Sequence, residues 1–283
     1  MGVERPIILI GTHRSGTTWL GDLFSRHPRV AYWVEPRHIW TWGSGYRPDD
    51  VLTEADATPR VVAHIRDAFE RFMRERDRDR FAEKTPSNTL RLRFVNAVFP
   101  DARILLLIRD GRSVIRSTDE IMRQPMPMGG LVRRAMQTPL WEWPAYAPRA
   151  MHTITRRFSQ KPLDFWGPRP PGWREWVDAD PRPVVLARQW SGAISRALDD
   201  AAALSDANIL EVRYERLMAR PSEEMRRIAE FIELPDPDPV IDAAASTADA
   251  SRVDKWRDEL DAETLDLIRP HMEPTLRRLG YEW

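Results

Sequence analysis

Apolar residues fall along this chain in two rhythms. Short unbroken runs at 6–10 and 103–108, with weaker ones at 30–34, 81–83 and 209–213, have the length and continuity of strands buried on both faces. Between them the spacing turns helical. Leu20, Leu23 and Phe24 share one face, Val114, Ile115, Thr118, Ile121 and Met122 share another, and Met225, Ile228, Ala229 and Ile232 form a stripe after Pro221. Further helices are predicted at about 59–76, 88–98, 185–204, 260–268 and 270–279. Buried strands alternating with helices predict an α/β fold of three layers, a central parallel sheet with helices on both faces.

The rhythm breaks once. Between Arg123 and Pro183 stand 11 of the 24 prolines and five of the 12 tryptophans, so residues of about 123–183 are expected to form a cap inserted in a single domain spanning 1–283. A chain of 283 residues needs no staple to fold as one domain. It contains no Cys, which excludes disulfides, thiolate metal sites and thiol nucleophiles. The 43 basic residues balance 43 acidic ones, and only Lys84, Lys161 and Lys255 are lysines, so no nucleic-acid partner is expected. No apolar run approaches the roughly 20 residues of a membrane span, and no signal-peptide core is recognisable, which together predict a cytoplasmic location.

Chemistry concentrates at the junctions. The first strand runs into Gly11-Thr12-His13-Arg14-Ser15-Gly16-Thr17-Thr18 and then a helix. A strand, a glycine-bounded loop and a helix N-terminus aim backbone N–H groups and a positive helix end at one point, which suits phosphate. A nucleoside triphosphatase loop would carry Lys after the second glycine; Thr17 stands there instead, and the cation comes earlier, at Arg14. A small-molecule kinase using ATP and Mg, with Asp110 or Glu35 on the metal, is thereby disfavoured but remains the alternative, and a nucleotide-binding scaffold is a third reading. At the end of the most apolar strand Arg109 offers a planar fork for a phosphate monoester. Asp110 is placed to cap the next helix, Ser113 and Ser117 lie one turn apart on it, and Arg112 and Arg116 are expected in solvent.

Arg14-Ser15-Gly16-Thr17-Thr18-Trp19 resembles the 5′-phosphosulfate loop of sulfotransferases that use 3′-phosphoadenosine 5′-phosphosulfate, and Leu106–Ser117 resembles their 3′-phosphate motif. Arg213-Tyr214-Glu215-Arg216-Leu217, Ser251-x3-Lys255-Trp256 and Leu279-Gly280-Tyr281 extend the likeness, which is strongest to the bacterial and protein-tyrosine types. The resemblance implies a P-loop-like fold and a donor site of His13, Arg14, Ser15, Gly16, Thr17, Thr18, Arg109, Ser117, Tyr214, Ser251 and Lys255. It implies adenosine 3′,5′-bisphosphate as product and no metal. It also places a general base at Glu35, 21 residues past Arg14, where Trp33, Val34 and Pro36 would desolvate the carboxyl. His38 is the rival base. Lys84, in Glu83-Lys84-Thr85-Pro86, is expected to join Arg14 in stabilising the transferring group. Several family members carry Lys where Arg14 stands; Arg does not readily give up a proton, so the role here becomes electrostatic.

The acceptor is expected to bear a hydroxyl on a sugar, glycolipid or phenol. Trp141, Trp143, Tyr146, Phe158, Phe165, Trp166, Trp173 and Trp176 in the cap, with Trp40 and Trp42, offer rings for a wall around it. Trp256 could stack on adenine or pack in the core. Nothing in the sequence bears on oligomeric state.

Overall fold

The computed structural model describes residues 2–123, 165–204 and 208–283. The cap residues Trp141, Trp143, Tyr146 and Phe158, with Lys161, lie outside them. Five strands, β1 (Ile7–Ile10), β2 (Val30–Val34), β3 (Arg80–Lys84), β4 (Arg103–Ile108) and β5 (Ile209–Arg213), form one parallel sheet in the order β2-β3-β1-β4-β5.

The helices are α1 (Thr17–Phe24), α2 (Arg37–Trp40), α3 (Pro59–Arg74), α4 (Leu92–Val98), α5 (Gly111–Arg123), α6 (Trp173–Ala179) and α7 (Arg182–Ala201). After β5 come α8 (Tyr214–Ala219), α9 (Pro221–Phe231), α10 (Asp238–Thr247), α11 (Trp256–Glu259) and α12 (Ala262–Arg278).

Strand alternation divides the core in two. Ile8, Ile10, Ile104, Leu106 and Ile108 face α3, α4, α5, α7 and α12, whereas Ile7, Leu9, Leu105 and Leu107 face α1, α9 and α10. This split positions the site. The adjacent parallel strands β1 and β4 send their following helices to opposite faces: Leu20, Leu23 and Phe24 of α1 pack in one core layer, Val114, Ile115 and Met122 of α5 in the other. The loops leaving the two strands diverge, and a crevice opens between them at the carboxyl ends, where open α/β sheets bind ligands.

The structure corrects three expectations. The region 88–98 is not one helix: a 3-10 turn at Pro86–Leu90 precedes α4, because Pro86 starts a turn whose Ser87, Asn88 and Thr89 side chains are all buried and hydrogen-bonded. The two expected last helices are one, α12, running through Pro270 and Pro274. Its Ile268, Met272 and Leu276 are buried against α7, and Ser191 of α7 donates to the His271 carbonyl at 2.7 Å, so packing outweighs the lost helical bonds. Trp40 is fully buried among Phe69, Phe94 and Phe99 and lines no wall.

Candidate functional site

The loop after β1 is shaped by its own side chains. Ser15 closes a turn on the Thr12 carbonyl twice, through its hydroxyl at 2.6 Å and its amide at 3.2 Å. Arg14 and Gly16 take left-handed backbone, at φ 63° and 97°. Gly16 has a second reason to be glycine: a Cβ there would lie 2.6 Å from the Tyr214 ring. No side chain caps α1, so its first N–H groups and positive end face the crevice. Thr17 is buried and Thr18 exposed.

Across the crevice Arg109 leaves β4 largely buried, its guanidinium 4.2 Å from the centre of the Tyr214 ring. Its Nη1 donates to the Arg14 carbonyl and its Nη2 to the Arg252 carbonyl, each at 2.8 Å, while the buried Nε has no partner. Arg14 Nε donates to the Ser117 hydroxyl at 2.9 Å. The Arg14 guanidinium thus lies within electrostatic reach of Arg109, and burial followed by the Arg109 charge pushes the Arg14 pKa down. An anion between them would relieve that repulsion. The 3-10 turn Ala250–Arg252 is drawn over this side by Arg109 and by Ser113, whose hydroxyl donates to the Val253 carbonyl at 2.7 Å.

The opposite flank is built from β2 and β3. Their register places Val34 beside Lys84, and the Glu35 amide continues the pairing to the Lys84 carbonyl at 2.9 Å. There the chain turns through left-handed Glu35, at φ 51°, which brings its carboxylate back to the Lys84 ammonium at 2.6 Å. Arg37 reaches the other oxygen at 3.0 Å. Lys84 is buried at the strand end, so its ammonium is held in place and poorly hydrated. Behind it the fully buried Glu83 accepts from Thr85 at 2.8 Å and Asn88 at 2.9 Å and shapes the following turn; burial pushes its carboxyl up to about 7.

His13 lies between the flanks. Burial first, then the charges of Arg14 and Arg37, push its pKa down to about 3, so the imidazole is neutral. Trp166 stands edge-on to it at 5.1 Å, and a Cβ on Gly167 would come within 2.5 Å of Nδ1. The stretch 166–169 is pinned there: Gln189 donates to the Trp166 and Pro168 carbonyls at 2.9 and 2.7 Å, and Asp50 accepts from the Arg169 amide at 2.9 Å.

The structure therefore gathers Glu35, Lys84 and His13 on one side, and Arg14, Arg109, Ser117 and Tyr214 on the other. It does not bring in His38, which meets Trp33 edge-on at 6.1 Å and whose pKa is lowered by burial and by His64. Ser251 bonds its neighbour Asp249 at 2.6 Å, and Lys255 is exposed just before α11. Asp110 caps α5 by accepting the Arg112 amide at 2.9 Å.

The solvent reading of Arg112 is overturned: it is buried and paired with Asp110. Arg116 is only partly exposed and pairs with Glu120 at 3.0 Å and with Glu259. Trp256 is buried beneath Arg112 and belongs to the core. Arg37 escaped the sequence reading of the site, its one signal being its position two residues past Glu35, whereas Trp166 was among the cap rings expected around the acceptor. No cluster of His, Cys, Asp and Glu suited to a metal ion occurs among the described residues.

Comparison with known proteins adds independent findings. The model of a family described as the sulfotransferase family matches residues 6–164 and 149–238. The chain is 25% identical over 306 residues to protein-tyrosine sulfotransferase A of Caenorhabditis elegans, covering 98% of this chain and 67% of that protein. It is 22% identical to protein-tyrosine sulfotransferase 2 of Gallus gallus, over 99% of this chain and 70% of that one. Among solved structures, the sulfotransferase domain from the curacin biosynthetic pathway superposes with a TM-score of 0.57 at 14% identity, covering 100% and 99% of the two chains. A sulfotransferase from Mycobacterium avium gives 0.54 at 13%, covering 99% and 78%. At those identities the two structures speak to the fold alone.

Proposed function

The chain belongs to the sulfotransferase family, and from that premise we propose that it moves a sulfuryl group from 3′-phosphoadenosine 5′-phosphosulfate to an acceptor hydroxyl by in-line displacement, with Glu35 as general base. The observation that carries this reading is the 2.6 Å pair of Glu35 and Lys84, set at the strand ends beside a phosphate loop with an uncapped helix. The donor's two anionic ends match two features of the crevice. The α1 N-terminus, Ser15, Thr17 and Thr18 suit the 5′-phosphosulfate, and Arg109 with Ser117 suits the 3′-phosphate; the unpartnered Arg109 Nε and the bond of Arg14 to Ser117 beside it are the structural grounds. Ser251 and Lys255 lie at the edge of this reading, on and next to the turn that Arg109 holds.

When bound, the donor supplies an activated sulfuryl group. Glu35 takes the proton of the attacking hydroxyl, and its two cationic neighbours favour the ionised carboxylate that a base requires. The Lys84 ammonium, freed from that carboxylate as it is protonated, turns its charge to the oxygens of the transferring group together with Arg14. Neutral His13 adds no competing charge and backs the loop from beneath. Charge stabilisation falls to side chains, and no metal is needed.

For the acceptor, the relatives named for protein tyrosine favour a phenol over a sugar or glycolipid hydroxyl. Trp166 stands nearest the pocket, and the inserted region of about 123–183 is assigned to cover its mouth within a single domain. Family membership, together with Thr17 in place of a loop Lys, leaves the kinase reading without support. The test is transfer of labelled sulfate to a tyrosyl peptide, a simple phenol and a sugar. Glu35→Gln is expected to lose about 10²–10⁴-fold in turnover while keeping its affinity for adenosine 3′,5′-bisphosphate. Full turnover by that variant, or phosphoryl transfer from ATP, overturns the reading.

A further inference from the structure

Arg109 must hold its direction without a long lever: it sits on the two-residue turn, Arg109-Asp110, between β4 and the first turn of α5. Two residues fasten that turn, and both do so through the segment 280–283. Arg112 bonds the Asp110 carboxylate with Nε at 3.0 Å and Nη2 at 2.7 Å, and Nη2 also donates to the Glu282 carbonyl at 2.8 Å. Its guanidinium lies 3.9 Å from the Trp256 ring centre and 5.5 Å from that of Trp283. Glu215 accepts the Asp110 amide at 2.9 Å with one oxygen and the Tyr281 hydroxyl at 2.8 Å with the other.

A buried ion pair such as Asp110 and Arg112 is a weak source of stability, since desolvation offsets the attraction; what such a pair fixes is geometry. Here the fixed object is the peptide that carries Arg109, whose two Nη atoms must stay aligned on the Arg14 and Arg252 carbonyls. We propose that Arg112 and Glu215 are positioning residues for Arg109: with Tyr281, Glu282 and Trp283 they form a clasp that orients its guanidinium toward the 3′-phosphate of the bound nucleotide. This rests on the donor-site reading of Arg109 given above.

The test compares affinities of the full chain for adenosine 3′,5′-bisphosphate and adenosine 5′-phosphate, whose ratio isolates the 3′-phosphate. Arg112→Lys keeps the charge but cannot bond both Asp110 oxygens and the Glu282 carbonyl. Tyr281→Phe removes a single hydroxyl, preserves the ring, and decides the matter if Arg112→Lys does not fold. Each is expected to lower the ratio about tenfold, with 5′-phosphate affinity unchanged. An unchanged ratio, or equal weakening of both nucleotides, overturns the clasp. Arg109→Ala separates the two levels. If it abolishes the ratio while the clasp variants keep it, the clasp alone fails; if the native chain does not prefer the bisphosphate, the donor-site reading fails and the clasp with it.

Discussion

The two flanks of the crevice hold charge in opposite ways. On the β2–β3 side, side chain meets side chain: the Glu35 carboxylate sits between the Lys84 and Arg37 cations, one negative group against two positive ones. On the β4 side the cations meet neutral oxygens: Arg109 donates to two backbone carbonyls and Arg14 to a hydroxyl, and the Arg109 charge pushes the Arg14 pKa down. In the proposed reading, the first arrangement takes up the acceptor's proton. In the same reading, the second is completed by an anion. On that reading a single sheet places proton handling and anion holding side by side, with the neutral His13 between them.

That contrast can be broken from either side. The largest effect is expected from Lys84→Met, which should cost about 10³-fold in turnover with little change in affinity for the bisphosphate; steady-state kinetics beside calorimetry would show whether the two quantities separate. Arg109→Ala should do the reverse, weakening the bisphosphate about 10²-fold at the cost of roughly two charge-assisted hydrogen bonds. Equal losses in binding and turnover for both variants would erase the distinction between the flanks.

Gly16→Ala probes the boundary between them. The left-handed backbone and the Tyr214 contact predict a loss of about 2 kcal/mol in chemical denaturation, part of it recovered in a Tyr214→Leu background. No recovery would mean that the backbone alone sets the requirement.

The smallest effect is in pH dependence, where the sign distinguishes two buried groups. His13 has a folded pKa near 3 against an ordinary 6.5, so its contribution is complete above pH 6.5 and is lost as pH falls toward 3. Glu83 has a folded pKa near 7 against 4.5, so its contribution is complete below pH 4.5 and is lost as pH rises through 7. Between pH 4.5 and 6.5 the two slopes oppose. His13→Gln and Glu83→Gln should tilt the stability profile in opposite directions, by at most about 1.4 kcal/mol per pH unit. Tilts of the same sign would contradict the burial of one of them.

Much of this was legible in the sequence because it depends on local pattern. β2, β4 and β5 have the predicted bounds, since continuous apolar runs between turn residues leave little choice of register. The phosphate loop was readable from its glycines and from the strand and helix around it. Other features depend on contacts between distant segments. Arg112 reads as a surface residue until Trp256, Trp283 and the Glu282 carbonyl arrive from more than 140 positions away. Pro270 and Pro274 read as a helix break until α7 is present to hold the helix together. His38 sits three residues from Glu35 and looks equivalent, yet α2 turns it toward Trp33 and His64. Helical rotation over a few residues decides which of two candidate bases meets the loop.

The left-handed backbone of Arg14 has an evolutionary consequence. A side chain at that φ costs of order 1 kcal/mol or more, and this one also faces the like charge of Arg109. Glycine would remove both penalties and, with them, the cation that the proposed reading sets against the transferring group. Selection for heat tolerance alone therefore pulls position 14 toward glycine, against the role proposed for the arginine.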